Sequence, residues 1–219
     1  MTKNYPSKEY YKNLNYYKDM HKNGYHLIDG RKRDSERAYD GKSTLAFAPI
    51  IKEIIKNENI NNMIDYGCGK ANFYNNSFNL GNKVIPPLNK FWDINIKLYD
   101  PCYDKYSNFE KDKTFDLTIC IDVLEHIPAT DIDWILDRFF KISKKFIFIN
   151  VACYEAIALL PDGRNAHINI QKPIWWSNKI EKLLEIQNEL KVICICTIKD
   201  DGKIKHIPLE YGCKIKDYL

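Results

Sequence analysis

Apolar positions along the chain follow two periods. Alternating or continuous apolar runs fall at residues 62–66, 94–100, 115–121, 144–152 and 192–198, each bounded by Asn, Asp, Gly or Pro, and such runs read as strands. The run at 144–152 is apolar almost throughout, as a strand covered on both faces must be. Between the runs, apolar residues recur at helical spacing: Phe47, Ile50, Ile51, Ile54 and Ile55; then Ile135, Leu136, Phe139 and Phe140; then Trp176, Ile180, Leu183 and Leu184. The alternation predicts an α/β fold with a mostly parallel sheet. Residues 204–211 follow Asp200-Asp201-Gly202-Lys203, so the chain closes in an antiparallel hairpin with a Gly turn.

Two intervals break this rhythm. Residues 72–89 are Asn-rich and contain Gly81 and Pro86-Pro87, which predicts a short helix and a long loop. Residues 102–114 are too few for a helix–strand–helix unit, so a third strand is expected to be minimal or missing. Gly41-Lys42-Ser43 opens the first core helix, with Ser43 as its N-cap.

Residues 1–42 differ from 43–219 in being Tyr-rich, charged and poor in aliphatic side chains. Tyr10, Leu14, Tyr17 and His21 share a helix face, which predicts a helix over 8–22 ended by Gly24. This arm reads either as a cap over a ligand mouth or as a solvated extension along the core's edge. The 219 residues, 45% hydrophobic and 13% aromatic, suit one domain with an extension and a sizeable core.

Net charge is only +4, and arginine occurs only at 31, 33, 37, 138 and 164. A nucleic-acid reader leans on arginine, so a nucleic-acid partner is not favoured. Seven cysteines, an odd number without Cys-x-x-Cys, read as reduced core residues of an intracellular protein. Cys194 and Cys196 share a strand face. The N-terminus is polar and no apolar run reaches membrane length, so a cytoplasmic protein without a membrane partner is expected.

The chemistry gathers at strand ends. The run at 62–66 breaks into Asp65-x-Gly67-x-Gly69-x-Ala71, where glycine lets backbone approach a ligand. A dinucleotide-binding turn or a plain tight turn gives the same pattern. The next run ends in Asp100-Pro101, and the one after in Asp122-Val123-Leu124-Glu125-His126-Ile127-Pro128.

Together these residues resemble the class I S-adenosylmethionine (SAM) methyltransferases: motif I with Ala71 for its third glycine, a position that in the family usually serves helix packing, the acid at the end of strand two, and the Asp-Val-Leu-Glu-His sequence after strand four. Leu160-Pro161-Asp162-Gly163-Arg164-Asn165-Ala166-His167 and Trp175-Trp176 are similar to stretches of uncharacterised bacterial and phage members. The resemblance covers residues 41–211 and implies a Rossmann-like methyltransferase sheet. It implies SAM held by Asp65, Tyr66, Gly67, Cys68, Gly69, Asp100, Ile121 and Asp122. Asp65 would orient the ammonium, and Asp100 would accept from the ribose hydroxyls.

His167, His126 and Asp122 are the candidate catalytic residues. His167 is favoured as base and His126 is read mainly as a loop tie. Glu125, Arg164, Asn165 and Trp175 are candidate substrate contacts, although Glu125 also suits a cap or salt bridge and Trp175 a core position. His21, His26 and His206 show no metal spacing, so no metal site is expected. The expected function is methyl transfer to O or N of a small molecule or glycan sugar; a nucleic-acid methyltransferase and a catalytically silent SAM-binding protein are the alternatives. The acceptor and the oligomeric state are not legible.

Overall fold

A computed structural model describes residues 6–219; the first five residues of the 1–42 arm lie outside it. Helix α1 (Lys8–Asn23) leads to the two-residue strands β1 (Tyr25–His26) and β2 (Lys32–Arg33), then to α2 (Ala48–Asn57) and β3 (Asn62–Tyr66). A small hairpin, β4 (Phe78–Leu80) and β5 (Lys83–Ile85), precedes α3 (Leu88–Trp92) and β6 (Asn95–Tyr99). There follow β7 (Phe115–Ile121), α4 (Ile132–Ile142), β8 (Ser143–Ala152), α5 (Pro173–Leu184), β9 (Lys191–Asp200) and β10 (Lys203–Tyr211).

Six strands form one sheet in the order β10-β9-β8-β7-β3-β6. All neighbours run parallel except β10, which closes antiparallel on β9 from Lys203↔Asp200 to Tyr211↔Val192. The result is a mixed α/β fold with a mostly parallel central sheet.

The two-faced burial read from residues 144–152 has a direct counterpart in β8. Ile147, Ile149 and Val151 join a cluster with α4 and α5, while Phe146 and Phe148 join one with α2 and α3. Every residue of β7 is buried. Helices therefore cover both faces, as connections between parallel strands require.

Three local expectations are corrected. Ser43 is not a helix N-cap: residues Lys42–Phe47 form a 3-10 turn, and α2 starts at Ala48 with Pro49 in its first turn. Proline suits that position because its missing N–H has no partner there anyway. The interval 72–89 holds the β4–β5 hairpin around Gly81 as well as the start of α3. Ala71 sits at φ +51, so it occupies a left-handed turn position rather than a helix-packing one. Between β6 and β7 lies only the 3-10 turn Asp104–Tyr106, so the sheet ends at β6.

The order of the strands positions the site. From β3 the chain goes to β6 on one side, and the next strand, β7, lies on β3's other side. Loops leaving β3 and β7 therefore diverge, opening a crevice at their carboxyl ends. Among the described residues no helix is long and apolar enough to cross a membrane.

Candidate functional site

A cavity of about 910 Å3, open solvent at its mouth included, fills that crevice. Its floor is the ends of β3, β6 and β7, with Tyr66, Gly67, Gly69, Asp100, Ile121 and Asp122 among its residues. Cys68 also lines it. Helix α1 forms the roof through Tyr10, Asn13, Leu14, Tyr17 and His21, with Tyr39 beside it. Tyr17 and Met20 pack with Leu160 and Ala166 from the loop after β8, so the arm is fixed over the crevice by apolar contact.

The glycine turn is closed by the protein itself. Gly67 and Cys68 donate their N–H groups to Tyr99 O, Gly69 donates to Asp100 Oδ2 and Lys70 to Tyr39 O. Ala71 donates to Cys68 O and Asn72 to Asp40 O. A Cβ on Gly67 would lie 2.4 Å from Val123 Cγ2, and one on Gly69 2.3 Å from Tyr39 O. Glycine is required at both positions because neighbouring protein atoms occupy the space, and φ is +87 and +59.

Asp100 is the clamp of this corner. Its carboxylate accepts Gly69 N–H and Cys102 N–H, both at 2.8 Å. Burial raises its pKa, and those amides, with that of Tyr103, pull it back. Asp65 does not line the cavity. It is buried on the other side of the turn, where Tyr74 OH donates to its Oδ2 at 2.6 Å. Burial pushes its pKa up to about 7, opposed by the Tyr74 bond and reinforced by Asp100. The role of orienting a ligand's ammonium therefore has no geometric basis at Asp65: the strand's pleat turns its side chain into the core beside Tyr74.

Across the crevice, the loops after β7 and β8 bring Asp122, His126 and His167 together, with one ligating atom of each within 4.8 Å of the others. Asp122 has φ +59, a backbone state that costs an L residue about 1–2 kcal/mol, and its Oδ2 accepts Ser43 Oγ–H at 2.9 Å. His126 is on the cavity wall, whereas His167 is buried behind it with ring centroids 4.9 Å apart. His126 Nδ1 lies 3.0 Å from both Ala166 O and Tyr17 OH, and Tyr17 OH itself donates to Ala166 O. His126 thus ties the loop as expected, but it also reaches the cavity. Burial lowers its pKa to about 4, with His167 adding to the effect, so its ring is neutral near pH 7. The sequence argument against metal rested on the other three histidines and does not reach this cluster.

The remaining candidates serve the loops. Glu125 is fully buried, with Oε1 accepting Ala152 N–H at 2.7 Å and Oε2 without a partner. Burial, then the nearby Asp122 charge, raises its pKa well above the carboxylate range. Arg164 pairs with Asp162 and Glu9 and donates to Asn13 Oδ1, tying loop to arm. Asn165 bridges Ala156 and the His167 N–H. Trp175 packs edge-on against Trp176 with Lys179 over its ring, away from the cavity lining. None of these four lines the cavity.

The residues that sequence reasoning missed are on the roof. Asn13 and His21 are buried, line the cavity, and have Asn13 Nδ2 and His21 Nδ1 unpartnered. Burial, with Lys70 nearby, lowers the His21 pKa to about 4. The signal available was the position of Asn13 on the same helix face as Tyr10 and Tyr17, the face that is buried. Compared with protein-family models, curated proteins and solved structures, the chain matches none.

Proposed function

We propose that the protein is a SAM-dependent methyltransferase acting at O or N of a small molecule or a glycan sugar. One observation carries the proposal: the cavity sits at the strand-order switch and pairs acceptors below with unpartnered polar atoms above. Asp100 and Asp122 offer carboxylate oxygens at the floor, Asn13 Nδ2 offers donors at the roof, and four tyrosines, 10, 17, 39 and 66, line the walls. Carboxylates and aromatic faces favour a cationic ligand. A dinucleotide would instead need free turn amides for its pyrophosphate, and the amides from Gly67 to Asn72 all have protein partners.

SAM supplies a methyl group on a sulfonium, which an acceptor's lone pair displaces in line while sulfur leaves neutral. The chain's task is alignment under the roof helix, since orientation can supply roughly 7–11 kcal/mol of barrier reduction. Asp100 would accept from the ribose hydroxyls with the lone pairs that its bonds to Gly69 and Cys102 leave over. The acceptor is activated at the Asp122–His126–His167 corner, where His126, neutral and on the wall, can take up a proton.

Calorimetry with SAM and NAD on the same preparation tests the cofactor, with micromolar SAM binding and no NAD binding expected. NAD binding without SAM binding would falsify the reading. Labelled SAM incubated with cell extracts then identifies what acquires the methyl group. Salt-dependent label on RNA or DNA would replace the small-molecule acceptor with a nucleic acid. Binding without label on any acceptor would leave a silent SAM-binding protein.

A further inference from the structure

Two features of the Asp122–His126–His167 cluster go beyond what a proton acceptor needs. The first is the set of hydrogen bonds behind the rings. His167 Nδ1 is 2.5 Å from Tyr154 O, and a carbonyl only accepts, so that nitrogen carries the ring proton. His126 Nδ1 faces Ala166 O in the same way. Both rings are thereby held as the tautomer whose Nε2 has a free lone pair. Backbone carbonyls that fix metal-binding histidines do the same work, orienting the ring and raising its basicity.

The second is the backbone of Asp122, held at φ +59 at the end of β7; strain of this kind collects where a side chain must be aimed.

We propose that Asp122, His126 and His167 bind a divalent transition-metal ion of the zinc class through one carboxylate oxygen and two imidazole Nε2 atoms. One carboxylate oxygen and one ring nitrogen of each histidine lie at most 4.8 Å apart, which leaves a central point at most about 2.8 Å from each, against about 2.0–2.2 Å for zinc–nitrogen and zinc–oxygen bonds. Each ligand atom therefore closes in by less than about 1 Å, within reach of side-chain adjustment. Two imidazoles select a transition ion over Mg2+ or Ca2+, which prefer all-oxygen sites. Three protein ligands leave coordination positions open, and because Asp122 and His126 line the cavity, those positions face it. An acceptor oxygen bound there would be polarised and oriented by the ion; His126 serves as base only in the metal-free state, and with the ion bound the acceptor's proton would pass to solvent at the cavity's open mouth.

The site does not depend on SAM, so the test is run without it. Zn2+ titrated calorimetrically into the full chain should bind at one equivalent. Asp122→Asn, His126→Gln and His167→Gln should each weaken binding tenfold or more, while His206→Ala, remote on β10, should bind as the unaltered chain does. Circular dichroism establishes that each variant is folded, and Asp122→Asn, isosteric and on the cavity wall, is the variant of choice if a histidine change unfolds the chain. Co2+ serves as the second probe: its spectrum should lack a thiolate charge-transfer band, separating this site from the seven cysteines. Absence of stoichiometric binding, binding indifferent to all three substitutions, or a strong thiolate band would each overturn the proposal. SAM affinity measured separately keeps the two readings apart: Zn2+ binding without SAM binding removes the methyltransferase and leaves the metal site standing.

Discussion

The two rims of the cavity are built on opposite principles. On the β3 side every amide of the glycine turn has a partner, and the spaces beside Gly67 and Gly69 are filled by Val123 and Tyr39. On the β7–β8 side, charged and basic groups crowd together, with Glu125 Oε2 unpartnered and Asp122 at positive φ. Native proteins rarely leave buried polar atoms unsatisfied. The contrast teaches that the glycine turn is closed by protein partners, whereas the histidine rim keeps a buried polar atom without one.

The widest gap between the rims should be in turnover. If the β7–β8 rim holds the chemistry, His126→Ala lowers methyl transfer by about 10²–10⁴-fold while SAM affinity changes less than about threefold, under 0.7 kcal/mol. Single-turnover assays beside calorimetry read both quantities. Unimpaired turnover in folded His126→Ala would move the chemistry away from this rim.

The glycine turn should answer in stability instead. Gly69→Ala places a Cβ against Tyr39 O and asks alanine to hold φ +59, a loss of about 2–5 kcal/mol. Urea unfolding measures it. A loss below about 1 kcal/mol would mean that the arm shifts freely and that Tyr39 does not seal the turn.

Asp65 sharpens the same side through pH. Its folded pKa of about 7 lies above the unfolded value near 3.9, so between the two the native state binds the extra proton. Stability from this group is therefore present at low pH and lost as pH rises from about 4 to about 7, a change on the order of 4 kcal/mol. Asp65→Asn should flatten that slope when unfolding is followed at pH 5 and pH 8. An unchanged slope would assign the pH dependence to other groups.

Asp100 joins the two roles. Removing its charge-assisted bonds to Gly69 and Cys102 should cost about 1.5–3 kcal/mol of stability and weaken SAM about 10–100-fold. Loss of stability with unaltered SAM affinity would make Asp100 a clamp and nothing more.

The smallest effect belongs to the arm's outer tie. Arg164→Ala removes half-exposed pairs to Asp162 and Glu9, worth about 0.5–1 kcal/mol. A cost above about 2 kcal/mol would show that the pairs, rather than Tyr17 and Met20 packing, hold the roof down.

How much of this was legible depended on the range of the interaction involved. The strands at 62–66, 115–121 and 144–152 and the helix face of Ile50, Ile51, Ile54 and Ile55 follow from apolar period, because burial against a sheet repeats every two or about 3.6 residues. The 3-10 turn at Lys42–Phe47 was not legible. Ser43 has the chemistry of an N-cap, but its hydroxyl donates to Asp122, 79 residues away. Arg164, Asn165, Glu125 and Trp175 have the polar or aromatic chemistry that suits substrate contact near strand ends. Each instead satisfies a loop, arm or core partner, a choice that spacing along the chain does not encode.

By itself the sequence determined the chain order of the strands that form the main sheet and of the helices that cover it, the hairpin at the end, the helix at 8–22 and the glycines at 67 and 69. All are consequences of local period and turn chemistry. Only the tertiary structure decided that Asp65 turns away to Tyr74, that Asn13 and His21 roof the cavity, and that His167 comes to lie against His126. Those outcomes rest on the parallel pairing of β7 with β8 and on the seating of α1 over the loop after β8. Such contacts join residues tens of positions apart, where no periodicity reports them.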